Sequence, residues 1–518
     1  MVGELKVRRL PGLRWLRRPT KLPELPRTPR PTRLRNVTTW QLTAGAATVG
    51  LALSAVAVTA AGPWDSGQRT AERAAAVDSG RDGGTDHGDG REPSAAPSAP
   101  GVLTALGAPA GGAPAPTGGA LADVLDPLLK DPSLGADRTA SVVDAATGTE
   151  VYGAKAGDAV VPASTIKIAT AVAALSALGP DHRIVTRTVI EPGATDSADP
   201  AKRADVALVG GGDPTLTARK GTQGNASLHT LADATAHALG DRGVDKIKLS
   251  YDSSAYAGPE LHPIGPNENI APVSALMADE GRLDDSTSGP APRTAEPARD
   301  AARTFAGLLR DRGIDVKGEP GPTKAGDGAK TLGSTKSAPL DALVERMLTH
   351  SDNDIAEHLA RQTALAAGEP ASFDGAAKAV KKQLDKLELP VKKGKFADGS
   401  GLDRKDRVTS KLLTALLARA ADPDHPELRP VLTGLPVAGF TGTLRSRYAA
   451  GGATAPGTGL VRAKTGTLTG VNTLAGTVVD ADGRLLVFAF TGSGTGDAKA
   501  AQSTLDRLAS TVANCGCR

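Results

Sequence analysis

Ser164 and Lys167 stand three residues apart at the head of an apolar stretch that runs to Leu178. Along a helix that spacing is nearly one turn, so the lysine amine sits beside the serine hydroxyl. Burial disfavours an ammonium, and a neutral amine in that position is a base able to take the serine proton and leave the oxygen as a nucleophile. The helix N-terminus adds a partial positive charge and free N–H groups where an oxyanion would form. Taken alone the pair is a common string, and a lysine reaching solvent from a helix end accounts for it equally well.

Ser351-Asp352-Asn353 lies between two helical patterns, 340–348 and 354–367. A connection there presents a hydroxyl and an amide side by side, Ser351 to relay a proton to a leaving amine and Asn353 to grip a peptide carbonyl or N–H. The same residue types are ordinary helix caps. Lys464-Thr465-Gly466-Thr467 falls in a strand pattern. Lys464 and the Thr465 hydroxyl suit a carboxylate, Gly466 lets a ligand approach the backbone, and the N–H of Thr467 offers a second oxyanion donor. A lone edge-strand lysine does no more than discourage aggregation. Order and context weigh against these plain explanations. Each string occurs once in the folded part, as Ser-x-x-Lys, Ser-x-Asn and Lys-Thr-Gly, on a helix, a loop and a strand.

The elements that must bring the three together are readable from periodicity. Residues 141–144 and 150–152 form a hairpin about the turn Ala145-Ala146-Thr147-Gly148, and 164–178 is apolar on nearly all faces and closed by Gly179-Pro180, the pattern of a buried helix. From 182 to 336 strands, turns and helices alternate: strand 206–209 before Gly210-Gly211-Gly212-Asp213-Pro214, helix 228–239, strand 246–251. Helices return at 340, and the chain closes with strands 459–467, 472–479 and 484–491 and a helix over 497–512. Hairpins at both ends with helices between predict an α+β fold in which one antiparallel sheet is covered by helices.

Aromatic residues are only 3% of the 518, too few for a platform that stacks on bases. The net charge of +4 comes from the first 35 residues, and the remainder is slightly acidic, so no nucleic-acid partner is expected. Two cysteines, Cys515 and Cys517, give neither a disulfide framework nor a zinc site, and 513–518 is read as an unstructured tail. Residues 36–64 carry no charge, and 40–62 is long enough to span a bilayer. The basic arm 1–39, with Arg8, Arg9, Arg17, Arg18, Arg33 and Arg35, stays in the cytoplasm by the positive-inside rule, which exports everything after the span. Its length favours a retained signal anchor over a cleaved signal peptide with small residues such as Ala55-Val56-Ala57. Residues 63–120, rich in Gly, Ala, Pro and Ser, form a flexible tether. The expected location is a single-pass membrane protein with its catalytic body outside the cytoplasm, or a secreted one if the segment is cleaved.

Two further stretches, Asp398-Gly399-Ser400-Gly401-Leu402-Asp403-Arg404 and Leu435-Pro436-Val437-Ala438-Gly439 leading to Thr441-Gly442-Thr443-Leu444, accompany the three strings, as does Gly212-Asp213-Pro214. With them the chain resembles the D-alanyl-D-alanine carboxypeptidase/endopeptidase family, the low-molecular-mass class C penicillin-binding proteins, over about 121–512. The resemblance implies a β-lactamase/transpeptidase-like core split by inserted domains, with 121–183 packed against 337–512 and 184–336 inserted. It implies Ser164 as nucleophile, Lys167 as base, Ser351 as proton relay and Asn353 as substrate anchor. Lys464 and Thr465 would receive a D-alanine carboxylate, and the N–H groups of Ser164 and Thr467 would form the oxyanion hole. Peptidoglycan stem peptides would be the substrate, β-lactams acylating inhibitors, and no metal or organic cofactor is needed. Arg404, Leu468 and Thr469 are candidates for holding the side chain of the stem peptide's third residue, although Arg404 reads equally well as a structural ion pair in a Gly-rich turn. Carboxypeptidase and endopeptidase action both stay open. A β-lactamase would share the strings, but no Glu-x-x-Leu-Asn for a deacylating water lies between Asn353 and Lys464, so a long-lived penicilloyl ester is expected. A non-catalytic wall-binding or β-lactam-sensing module would keep the cleft; the presence of every motif residue argues against it.

Overall fold

The computed structural model describes residues 114–192, 203–221, 224–448 and 452–516. The apolar run 40–62, its basic arm, most of the tether and Cys517 lie outside them, and among the described residues no helix is long and apolar enough to cross a membrane.

Helix α1 (Gly118–Leu129) opens the described chain, N-capped by the Thr117 hydroxyl. Strands β1 (Asp137–Asp144) and β2 (Glu150–Ala154) make the hairpin. After β3 (Ala159–Val160) comes a single 3-10 turn, Ala163–Ile166, and then α2 (Lys167–Leu178). The apolar pattern puts the helix start at Ser164, whereas the α-helix begins at Lys167. Residues 164–166 belong to the tighter 3-10 turn, and Ala163, with a left-handed φ of 46°, bars any helical extension before them.

Residues 185–336 contribute β4 (Val185–Ile190), β5 (Ala204–Val209), α3 (Leu228–Gly240), β6 (Lys246–Asp252), α4 (Pro297–Arg310), β7 (Asp315–Val316), β8 (Gly321–Pro322) and β9 (Lys330–Lys336). The chain continues through α5 (Leu340–His350), α6 (Asn353–Ala367), α7 (Phe373–Lys386), β10 (Val408–Thr409), α8 (Ser410–Ala421) and α9 (Pro430–Thr433). It finishes with β11 (Arg462–Leu468), β12 (Val471–Val479), β13 (Leu485–Ser493) and α10 (Ala498–Ala513).

The first sheet has the order β11-β12-β13-β1-β2 and is antiparallel throughout, so early and late parts of the chain share it. Side chains alternate across it, as the pleat requires. Phe488 and Phe490 of β13 pack on one side with Leu121 and Leu125 of α1 and Leu505 and Leu508 of α10. Val487 and Ala489 pack on the other with α2, α5, α6, α7 and α8. Each large side chain fully buried in these two cores contributes about 1.5–3 kcal/mol. All of 167–175 in α2 is buried, and its many alanines let the neighbouring helices close on it, which is how a core forms with so few aromatics.

The second sheet, β7-β6-β5-β4-β9 with β8 on β6, is mixed. β4 runs antiparallel to β5 and β9, while β6 is parallel to β5, β7 and β8. Parallel neighbours need a crossover, which α3 and α4 supply while burying Leu228, Leu231, Phe305 and Leu309 against the sheet. The chain end is also more ordered than its composition suggests: Cys515 is buried in the core beside Leu508 and Val512 rather than lying in a loose tail.

Candidate active site

Ser164 sits on the 3-10 turn that α2 continues, and the next turn of helix carries Lys167, fully buried. The Lys167 Nζ lies 3.0 Å from Ser164 Oγ, 2.7 Å from Asn353 Oδ1 and 2.6 Å from the Ser400 carbonyl oxygen. Burial lowers this amine to about 8, against the opposing pull of the Asp398, Glu357, Asp352 and Asp406 charges. A lysine poised there is neutral in a substantial fraction of molecules near physiological pH. The amine is inside the protein and does not reach solvent.

Ser351 lies in the two-residue connection between α5 and α6, and Asn353 is the first residue of α6. Ser351 ends α5 in the left-handed conformation, with φ 59°, and Asp352 caps α6 by accepting the Ile355 N–H at 3.0 Å. The middle residue of the string thus does the capping. Its neighbours are released for other contacts: Ser351 Oγ accepts from Lys464 Nζ at 2.8 Å, and Asn353 Nδ2 donates to the Asn269 carbonyl at 3.0 Å.

Lys464, Thr465, Gly466 and Thr467 lie on β11, the edge strand of the first sheet, so no neighbouring strand covers their outer side. Lys464 is buried and also donates to the Thr465 carbonyl at 2.8 Å. Burial, then the charge of Lys167, holds its amine well below the ordinary lysine range. The Thr465 hydroxyl is set by a 2.9 Å bond to Thr443 Oγ1. Gly466 packs against the turn that bears Ser164: a β-carbon there would stand 2.1 Å from Thr473 Oγ1, 2.8 Å from the Pro162 oxygen and 3.1 Å from the Ser164 nitrogen. Only glycine lets the strand come this close.

A cleft of about 500 Å³ opens over these groups, lined by Ser164, Ser351, Asn353, Thr465 and Thr467, with Asn269, Leu402, Thr443 and Gln502 on its walls. Arg282 and Arg293 also border it, held by Glu280 at 2.8 Å and by Asp354 at 2.9 Å. Arg404, Leu468 and Thr469 are outside the lining. Arg404 makes no ion pair among the described residues; its Nη2 donates to the Thr469 carbonyl at 2.5 Å.

Behind Lys167 lies a group of buried side chains that the strings do not announce. Glu357 Oε1 accepts from the backbone N–H groups of Gly399 at 3.0 Å and Ser400 at 2.8 Å. Asp398 accepts from the N–H of Gly401 at 2.5 Å, the N–H of Asp403 at 2.6 Å and His262 Nε2 at 3.0 Å. Asp406 accepts from the Ala397 N–H at 2.6 Å. Burial raises Glu357, reinforced by the Asp398 charge, and burial alone would raise Asp398 too, but its hydrogen bonds from His262 and the backbone hold it low. The two glycines give the 398–401 turn its place. A β-carbon on Gly399 would meet Ala360 at 2.7 Å, and one on Gly401, at φ 84°, would meet the Ala163 oxygen at 2.1 Å. The available signal is that Glu357 lies four residues after Asn353, hence on the same face of one helix.

This arrangement can support acyl transfer: a hydroxyl with a buried amine at hydrogen-bond distance, a second hydroxyl held by another amine, and a strand edge beside them. Comparison with known proteins agrees. The model of the D-Ala-D-Ala carboxypeptidase 3 (S13) family matches residues 121–292 and 284–512. The chain is 36% identical over 418 residues to the carboxypeptidase DacB of Mycolicibacterium smegmatis, covering 78% of this chain and 86% of that one. It is 36% identical over 437 residues to the carboxypeptidase Rv3627c of Mycobacterium tuberculosis, covering 82% and 91%. The crystal structure of penicillin binding protein 4 (dacB) from Haemophilus influenzae shares the fold, with a TM-score of 0.61 at 22% identity over 75% of this chain and 97% of that one. With a cleft built from Ser-x-x-Lys, Ser-x-Asn and Lys-Thr-Gly and a family match that spans the folded chain, the protein belongs to the D-Ala-D-Ala carboxypeptidase 3 (S13) family of serine peptidases.

Proposed function

We propose that this serine carboxypeptidase releases the terminal D-alanine of peptidoglycan stem peptides through an ester on Ser164. The observation that carries the reading is the 3.0 Å contact between Ser164 Oγ and a buried Lys167 amine whose hold on its proton is weakened by burial. Lys167 takes the hydroxyl proton as Ser164 Oγ attacks the carbonyl carbon of the penultimate D-alanine. The N–H groups of Ser164 and Thr467 receive the oxyanion, and the Ser351 hydroxyl passes a proton to the departing amine. Water then attacks the ester, the proton returns to Ser164, and the peptide leaves one residue shorter.

Lys464 supports the carboxypeptidase assignment. No carboxylate stands against this buried amine among the described residues. A substrate with a free terminal carboxylate supplies one, and the charge-assisted contact is made only when it binds. A cross-linked peptide presents a carboxylate at the same place only where the carbon bearing the leaving amine carries one, and for such a substrate endopeptidase action uses the same chemistry. β-Lactams acylate the same serine in this reading; a related crystal structure, penicillin binding protein 4 of Haemophilus influenzae, is a complex with a β-lactam. The body works outside the cytoplasm, anchored through 40–62, as the charge asymmetry around that run supports.

The test is D-alanine release from a diacyl-Lys-D-Ala-D-Ala peptide. Wild type releases it and Ser164→Ala does not; equal release by the two proteins overturns the assignment. Mass spectrometry of the penicillin-treated protein should show one stable adduct, absent in Ser164→Ala. A cross-linked muropeptide assayed in parallel separates the two peptidase activities.

A further inference from the structure

We propose that Glu357 is a positioning residue for acylation, holding the Ser400 carbonyl against the Lys167 amine through the backbone N–H groups of Gly399 and Ser400. The inference rests on Lys167 being the base.

A neutral amine has two N–H bonds and one lone pair. The Lys167 Nζ has three neighbours, and two of them, the Ser400 carbonyl and Asn353 Oδ1, only accept. The Asn353 amide is fixed in that sense because its Nδ2 donates to the Asn269 carbonyl. Both N–H bonds are therefore spoken for, and the lone pair is left facing Ser164 Oγ. Removing either acceptor frees the amine to turn.

What fixes the Ser400 carbonyl is a turn folded around carboxylates. Glu357 binds the two N–H groups on either side of the Gly399–Ser400 peptide, Asp398 binds those of Gly401 and Asp403, and the Gly399 carbonyl accepts from Thr170 Oγ1 at 2.7 Å. With the N–H groups drawn inward, the Ser400 carbonyl is the one left for Lys167. Glu357 and Asn353 are a helical turn apart on α6, so one rigid element controls both acceptors of the base.

Charge gives the readout that a purely structural role would not move. The groups facing Lys167 are Asp398, Glu357, Asp352 and Asp406, all favouring its protonated form, and Lys464, with which it disfavours shared charge. Those facing Glu357 are Asp398, His262, Arg361 and Lys167 itself. Replacing the Glu357 carboxylate by a neutral amide weakens the hold of Lys167 on its proton, so the rise of acylation with pH shifts to lower pH.

The experiment measures the second-order rate of penicillin acylation against pH for the full-length protein, Glu357→Gln and Glu357→Ala. The wild-type rate is expected to rise through about pH 8. Glu357→Gln keeps an oxygen for the two N–H groups and should acylate with its rise displaced downward by about half a pH unit or more. Glu357→Ala leaves the turn unheld and should lose about tenfold or more of the plateau rate. A Glu357→Gln profile superimposable on wild type sinks the inference, as does an undiminished plateau in Glu357→Ala. A wild type that never acylates, or whose rate shows no such rise, instead sinks the role given to Lys167 and this inference with it.

Discussion

Lys167 and Lys464 are both fully buried amines, yet their surroundings differ in kind. Four carboxylates bear on Lys167 and bring it back to about 8, where it can exchange a proton, whereas Lys464 has only hydroxyl and carbonyl partners and the repulsion of Lys167. One amine is tuned as a base and the other is short of an anion. Gly466 joins their two halves of the cleft. Gly466→Ala forces a β-carbon against the Pro162 oxygen and the Ser164 nitrogen, and the strand must retreat from the nucleophile turn. We expect penicillin acylation to fall about 100-fold, the order seen when one oxyanion donor is lost, with the protein still folded by circular dichroism. An unchanged rate would show that β11 does not shape the hole. At this scale the motif residues were legible because each string is short and its chemistry depends on adjacent positions. Glu357 was not: its partners on the 398–401 turn are 42 and 43 residues away, and a glutamate in a helical pattern reads as a solvated charge until the fold buries it.

Helix α6 is the element on which the two sheets and the cleft depend. Residues 354–364 are all buried although many are polar, and most of the polar side chains reach out of the helix, whereas Thr363 turns back to the Leu359 carbonyl. Asp354 binds the Ala271 N–H and Arg293, His358 meets the Gly212 carbonyl at 2.9 Å, and Gln362 donates to the Gly211 carbonyl at 2.7 Å. Arg361 donates to the carbonyls of Ala257, Pro259 and Ala371 and lies between the rings of Tyr256 and Phe373. The Gly-Gly-Gly-Asp-Pro run is therefore where β5 leads into the grip of α6. Arg361→Ala leaves the inward-facing carbonyls of Ala257 and Pro259 without their donor, while that of Ala371 keeps the Ala257 N–H, and should cost about 2 kcal/mol or more in urea unfolding, since an unmet buried polar group costs about 1–3 kcal/mol. A loss below about 1 kcal/mol, the scale of an ordinary substitution, would show that the loop finds other partners. Helices and long strands were legible from period and stop signals. Strands β7 and β8 were not, because they are two residues each and no alternation can show in so short a run.

For the whole molecule, the first sheet closes only when β1 meets β13 along its full length, from Asp137 opposite Ser493 to Asp144 opposite Leu486. The catalytic strings at 164, 351 and 464 are thus assembled by a pairing between chain segments more than 300 residues apart. Among the described residues, both strands of that pairing lie in the body that begins at α1. A shortened protein beginning at Pro114 should acylate penicillin at the full-length rate and stay in the supernatant when the full-length protein sediments with membranes. Slower acylation by the shortened protein would mean that the tether contributes to the site.

The turn bearing Ser164 is hemmed in from behind by backbone: Ala163 in its left-handed conformation, Gly401 against the Ala163 oxygen, and Gly466 against the Ser164 nitrogen. A serine mounted so firmly offers nearly the same reactivity to every acylating drug. Substitutions that change the response to one β-lactam relative to another while sparing peptide turnover are therefore expected at the front of the cleft, along Asn269, Leu402, Thr443 and Gln502.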